Sequence, residues 1–305
     1  MPAGEKESDM KTKYLAILYA IVAAALYALN APFSKTLLEQ ISPAMMAAFL
    51  YLGAGIGLLV YGLASKKLGN APSGEPLTKK ELPYTLGMIL LDIAAPILLM
   101  LGVRLSTAAN VSLVNNFEIV ATSLVALLIF REKISRRLWI AIGLVTVASG
   151  ILTFEGAGAF SFNAGSLFVC GACLCWGVEN NCTKMISSKS TTQIVVLKGI
   201  FSGLGSLLVA FAAGEDLPGA GWILWALLLG FVSYGLSIYF YIKAQKDLGA
   251  AKTSAYYSIA PFLGVTFGMV LLGERPGVQF YVALVVMLVS TWLMIRDTLK
   301  TEEEA

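Results

Sequence analysis

Apolar residues fall along this chain in blocks separated by short stretches rich in Lys, Gly, Pro and Ser. A helix needs about 20 predominantly apolar residues to cross a bilayer, and most of the blocks reach that length. They predict ten spans: Tyr14–Leu38, Pro43–Ala64, Leu82–Val103, Thr107–Phe130, Leu138–Phe154, Ala164–Ile186, Gln193–Ala213, Trp222–Ala244, Ala250–Leu272 and Val278–Ile295. The longest connection, residues 65–81 (SKKLGNAPSGEPLTKKE), is punctuated by Gly and Pro and reads as a surface loop. The alternating strand-length segments of a membrane barrel do not occur. The fold class predicted is an all-α polytopic membrane protein.

The polar positions inside the blocks carry the second signal. Side chains three, four and seven apart share a helix face. In the sixth span Trp176, Glu179, Asn180 and Thr183 make one stripe, and Tyr27, Asn30, Ala31 and Ser34 hold the corresponding positions of the first. In the fourth span Asn115, Asn116 and Glu118 lie near the middle, with Thr122 one turn on; the ninth offers Ser254, Tyr257, Ser258 and Pro261. A carboxylate in hydrocarbon is costly and marks a pathway or relay. Asp92 in the third span and Lys198 in the seventh are further intramembrane charges, and Pro32 and Pro261 are candidate helix interruptions.

The stripes recur because the chain repeats. Residues 27–35, YALNAPFSK, pair with 176–184, WGVENNCTK, and 108–132 pair with 250–274, so that Ser112 meets Ser254 and Glu132 meets Glu274. Each copy holds five spans. An odd number turns the second copy upside down, and inverted repeats of this kind place a site near the bilayer midplane between the halves. The organisation predicted is an N-terminal tail over 1–13, a first five-helix repeat over 14–155, a second over 163–297 and a C-terminal tail over 298–305.

Composition agrees: of 305 residues 57% are hydrophobic and 13% charged, with a mean hydropathy of +0.77, against about a quarter charged in a soluble domain. The net charge of +3 sits at loops and span ends. It sets orientation and builds no basic face for nucleic acid. With the N-terminus inside, Lys66, Lys67, Lys79, Lys80, Arg131, Lys133, Arg136, Arg137, Lys184, Lys189, Lys243, Lys246, Lys252 and Arg296 all fall on the cytoplasmic side, which places both termini there. The first apolar run lacks a small-residue cleavage site and reads as a retained helix. Cys170, Cys173, Cys175 and Cys182 share one span. The C-x-x-C spacing of the first two allows metal ligation, yet zinc sites usually add His or a second Cys pair and the chain has no His; buried small residues is the simpler reading. No cofactor, metal or catalytic constellation is expected, and no phosphate loop for ATP. The GxxxG pairs Gly53–Gly57 and Gly199–Gly203 fit close packing within the bundle or a homodimer contact.

Each copy closes a helix on Glu, in LLIFREKIS and VLLGERPG, and a Gly-bearing apolar span follows. The second copy has Pro261 in SIAPFLGV. Over nearly its whole length the chain resembles the drug/metabolite transporter superfamily, EamA-type branch. Where that family has its mid-helix Pro, the first copy has Ile119 preceded by Glu118, a departure that suggests a subgroup with a charged site. The resemblance implies ten transmembrane helices as two inverted repeats, a carrier in the inner membrane, and export. Glu132 and Glu274, at helix ends, are expected to be structural.

The expected substrate is a small polar metabolite, amino-acid-like or cationic, bound by Glu118, Glu179, Asn115, Asn116, Asn30, Asn180, Trp176, Tyr257 and Tyr27. Trp176, Tyr256 and Tyr257 are candidates for stacking on a cation, and Glu118 and Glu179 for proton coupling. Two alternatives stay open: the acids are structural partners of Lys35, Lys198 or the asparagines, or the ligand is a nucleotide-like or phosphorylated anion held by Lys35 and Lys198. The partners expected are the substrate and the lipid bilayer, with the chain a monomer or homodimer.

Overall fold

The computed structural model describes residues 3–69, 74–105, 114, 117–152, 164–272 and 277–300, and among these there are helices and no strand. In chain order they are α1 (Ala3–Ala28), α2 (Asn30–Leu37), α3 (Pro43–Lys67), α4 (Leu82–Leu105), α5 (Phe117–Leu128), α6 (Arg136–Leu152), α7 (Ala164–Ile186), α8 (Thr191–Ala212), α9 (Ala220–Gly230), α10 (Ser237–Leu248), α11 (Ala250–Tyr257), α12 (Ala260–Leu272) and α13 (Val278–Lys300). A π-helical turn, Phe231–Leu236, joins α9 to α10. Among the described residues six stretches are long and apolar enough to cross a membrane: Met10–Ala28, Pro43–Lys67, Lys79–Leu99, Thr191–Ala212, Ala220–Leu248 and Val278–Leu299. α7 is not among them; its last third carries Glu179, Asn180, Asn181, Thr183 and Lys184. Residues 107–113, 115 and 116 of the predicted fourth span lie outside the described residues.

Two predicted spans are interrupted by non-helical residues, and proline sets both breaks. A proline ring clashes with the carbonyl four residues back and has no N–H to give it. The residue four before Pro32 is Ala28, the last of α1, and the residue four before Pro261 is Tyr257, the last of α11. Pro96 is carried inside α4 without ending it.

Neighbouring helices come mostly from opposite halves of the chain. α4 lies along α7, α1 along α10, α5 along α7 and α1 against α11 and α12, while α3 packs on α8 and α6 on α13. Exchanging each helix for its counterpart in the other half leaves this set of pairs unchanged. Alanines line the largest core, among them Ala16, Ala20, Ala126, Ala141, Ala148, Ala244, Ala251 and Ala283, around Tyr256, Phe262 and Met287. Small side chains let helices approach where lipid supplies no hydrophobic drive between them. Leu, Val and Trp residues such as Val60, Leu208, Trp225 and Val285 face outward.

The glycine pairs work inside this bundle. A Cβ on Gly199 would come within 2.7 Å of the Tyr51 carbonyl oxygen and one on Gly203 within 2.8 Å of the Leu52 nitrogen, both on α3. Gly53 lies against the Leu227 backbone and Gly57 against the Phe231 ring. Carboxylates then close the helix ends. Glu132 accepts from the amides of Ala250 (3.0 Å) and Ala251 (3.3 Å) at the start of α11, reached past Gly249 in the left-handed region (φ 82°). Its counterpart Glu274 lies outside the described residues. Glu215 does the same for α3, accepting from Met45 N (2.8 Å), Ala44 N (3.3 Å) and Ser42 Oγ (2.7 Å).

Candidate functional site

The backbone interruptions gather around one central space. Tyr27 is the penultimate residue of α1, Tyr257 ends α11 and Tyr234 lies in the π-helical turn. Their rings meet: Tyr27 is 5.4 Å from Tyr257 and 5.6 Å from Tyr234, Tyr51 is 5.4 Å from Tyr234, and Tyr241 is 5.0 Å from Tyr257. Ser237 Oγ, which donates to the Ala23 carbonyl at 2.8 Å, lies 3.2 Å from the Tyr257 hydroxyl and ties α1, α10 and α11 together. These rings wall a cavity of about 170 Å³ whose remaining lining includes Asp92, Glu118, Trp176, Glu179, Asn180, Thr183 and Lys198. A larger chamber of about 500 Å³ shares Tyr27, Tyr51, Leu99, Trp176 and Tyr234 with it, and reaches Ala44, Ala213 and Glu215. The start of α3 and the end of α8 lie at the far end of the bundle from the N-terminus, so the space extends toward that side.

The cavity charges are unequally partnered. Lys198, 6% exposed, places Nζ 2.8 Å from Glu179 Oε1 and 3.1 Å from Asp92 Oδ2, and these acids are 2% and 1% exposed. Thr183 Oγ1 donates to Glu179 Oε1 at 2.5 Å, and the Tyr51 hydroxyl donates to Asp92 Oδ1 at 3.3 Å. Buried ions persist only when paired and hydrogen-bonded, and this triad meets that condition across α4, α7 and α8. Glu118 differs. Its Oε1 accepts from Asn180 Nδ2 at 3.1 Å, and among the described residues it forms no ion pair. Asn180 also donates to Thr122 Oγ1 at 3.2 Å, and its own carbonyl accepts from Gln245 Nε2 at 3.0 Å. Asn181 bridges the Thr122 and Gly177 carbonyls at 3.0 and 2.8 Å. The amides thus fix α5, and with it Glu118, to α7.

Six sequence-predicted residues, Glu118, Glu179, Asn180, Trp176, Tyr257 and Tyr27, line this one cavity. Asn30 does not: it follows the break at Leu29, which turns it off the stripe begun by Tyr27, and its Oδ1 accepts from Ser34 Oγ at 2.8 Å. Asn115 and Asn116 lie outside the described residues. Tyr256 is 1% exposed and 3.0 Å from Thr298 Oγ1, in the core rather than beside Tyr257. Asp92 and Lys198 line the cavity as partners. Tyr51, Tyr234 and Tyr241 were not anticipated. Tyrosine is expected at the membrane interfaces, and the mid-span position of Tyr51 and Tyr234 was the available signal. Of the cysteines, Cys173 is buried with Sγ 3.6 Å from the Val114 carbonyl, Cys182 is also buried, and Cys170 and Cys175 are partly so.

The chain resembles known proteins along its length. The model of the EamA-like transporter family matches twice, over residues 14–154 and 163–296. An uncharacterized transporter of Methanothermobacter thermautotrophicus is 23% identical over 291 residues, covering 90% of this chain and 84% of that one. A protein of known crystal structure superimposes with a TM-score of 0.78 at 16% identity, covering 94% of this chain and 98% of the other; that likeness is one of fold.

Proposed function

The chain belongs to the EamA-like transporter family, and from that premise we propose that this multi-pass membrane transporter is a secondary carrier of a small cationic or amino-acid-like metabolite. The observation that carries the substrate class is Glu118: a carboxylate on the wall of a cavity of aromatic rings, bonded to an amide and, among the described residues, to no cation. An ammonium group seated there meets a charge at one end and ring faces around it, an arrangement worth about 0.5–2 kcal/mol per cation–ring contact as the site is desolvated. Lys198 is already held by two carboxylates, which disfavours the reading of an anionic, phosphorylated ligand bound by that residue.

The mechanism proposed is alternating access: ten spans in two inverted five-helix halves rock about the central cavity, with both termini cytoplasmic and the protein in the inner membrane. The helix pairs that survive exchange of the halves support the pseudo-twofold arrangement. The chamber leading toward Glu215 supports access from the side opposite the termini. Glu118 is the coupling group, exchanging a proton for the substrate cation as access changes. Glu179, bound by Lys198 and Thr183, holds the wall in place. Export as the working direction rests on family likeness.

Reconstitution tests this. In proteoliposomes a pH gradient drives accumulation of a cationic or zwitterionic substrate found by thermal-shift screening, and counterflow saturates with substrate, as a channel does not. Glu118→Gln abolishes gradient-driven accumulation. Full accumulation by that variant refutes coupling through Glu118, and a screen that yields anions alone refutes the substrate class.

A further inference from the structure

A second cationic side chain stands away from the cavity on α10 and has rings for partners. Lys243 Nζ lies 4.6 Å from the centroid of the Tyr239 ring and 5.5 Å from that of Tyr19 on α1. Phe240 closes against both rings, 5.5 Å from Tyr19 and 5.6 Å from Tyr239. Tyr61 of α3 stands 6.3 Å from Tyr239 with 46% of its surface exposed. Lys243 is half-buried, and among the described residues it forms no ion pair.

Depth gives the cluster its meaning. α10 ends at Leu248 and α3 at Lys67, so Lys243 and Tyr61 are about 8–9 Å inside their helix ends at 1.5 Å per residue. Both ends lie on the side of the bundle where α1 begins. That depth is the boundary of headgroup and acyl chain, where long cationic side chains direct the charge outward to phosphate and lay the stem on apolar surface.

We propose that Lys243, Tyr239, Tyr19 and Tyr61 bind the headgroup of an anionic phospholipid in the leaflet on the side of the termini. The rings hold the ammonium without neutralising it. Its N–H groups meet phosphate oxygens in charge-assisted hydrogen bonds, and among the described residues no carboxylate forms an ion pair with it. A zwitterionic headgroup brings its own cation, so the site prefers a lipid with net negative charge. Tyr241, on the cavity side of the same helix, takes no part, and the site stands whether or not the cavity reading holds.

The test uses the purified full chain in neutral detergent, titrated with phosphatidylglycerol, phosphatidylcholine or inorganic phosphate. Bound lipid is counted by native mass spectrometry and stability is read from the thermal midpoint. Phosphatidylglycerol is retained and raises the midpoint; phosphatidylcholine and phosphate do neither. Lys243→Gln weakens phosphatidylglycerol binding about fivefold, the share of one near-surface cation, and Lys79→Gln, an exposed lysine outside the cluster, leaves it unchanged. Tyr239→Leu weakens it with the charge retained, which keeps the site testable if Lys243→Gln fails to fold. Equal retention by wild type and the cluster variants, an equal loss in Lys79→Gln, or equal stabilisation by phosphatidylcholine or phosphate overturns the proposal.

Discussion

Replacing Lys198 by Met measures how far the interior charge triad holds this bundle together. Methionine keeps the unbranched stem and most of the volume, so the change removes the cation and little packing. What remains is Asp92 and Glu179, 1% and 2% exposed, with, among the described residues, the Tyr51 and Thr183 hydroxyls donating to them. Breaking a buried pair by removing one partner costs about 3–5 kcal/mol, because the other charge is left uncompensated. At about 2 °C per kcal/mol for a chain of this size, the thermal midpoint falls by roughly 6–10 °C. Unfolding in detergent, followed by tryptophan fluorescence at a fixed scan rate, reads the shift. The control is the triple variant Asp92→Asn, Glu179→Gln, Lys198→Met, which removes all three charges and keeps the shapes; neutral replacement of a buried ionic set is often harmless, so it recovers most of the loss. A Lys198→Met protein that melts with wild type refutes the triad as a mutual neutralisation. A triple variant less stable than the single one does so as well.

Four further outcomes are expected. Glu132→Ala removes the acceptor for two amides at the start of α11 and costs about 1 kcal/mol, as lost helix caps do, read as a midpoint lower by roughly 2 °C. Gly199→Leu forces α8 off α3, since even a Cβ there lies within 2.7 Å of the Tyr51 carbonyl oxygen; the variant fails to give a monodisperse species in size-exclusion chromatography. Tyr257→Leu weakens binding of a cationic ligand about 2- to 30-fold by calorimetry, the range of one cation–ring contact, and leaves the fold intact. At the loop end, the ammonium of Lys189, hydrogen-bonded at 2.8 Å, holds the Glu75 carboxyl below the usual carboxylate range, and Glu75 in turn raises Lys189. A lowered carboxyl contributes stability above its ordinary pKa and loses it as pH falls through the lowered value; a raised lysine loses its contribution only as pH climbs through the raised value. Amide exchange at Ser190, whose N–H is bonded to the Glu75 carbonyl at 2.7 Å, is therefore slowest between these limits and accelerates beyond either, once intrinsic exchange rates are divided out.

The fold was legible because its causes are local. Apolar length gives six of the ten predicted spans among the described residues, and the proline rule gives the two breaks to the residue, at Ala28 and Tyr257, from Pro32 and Pro261. The glycine pairs were legible as close approaches, though which helix would come close was not: Gly199 meets Tyr51 and Gly55, a pairing that no periodicity within one span encodes. Asn30 shows the limit of the stripe argument. The face rule assumes an unbroken helix, and the same Pro32 that predicts the break turns Asn30 away from the cavity. Tyr234 escaped for a related reason. A π-helical turn adds a residue to the backbone and shifts the side chains beyond it, so counting by threes and fours fails there. Such turns are frequent at functional sites.

Charge counting gets further than periodicity. Asp92, Glu118, Glu179 and Lys198 all lie inside predicted spans, where a low dielectric requires each charge to find an opposite one. One ammonium can serve two carboxylates at 2.8 and 3.1 Å, but with both ionised the triad already carries a net negative charge. Glu118 is then a third acid drawing on a cation already shared, and the amide of Asn180 donates a hydrogen bond without cancelling charge. Among the described residues, the cavity cannot reach neutrality with every carboxylate ionised. Its neutralisation requires protons or cations from outside these residues, and on the function proposed above Glu118, which has no ammonium beside it among the described residues, is where the first of them arrives.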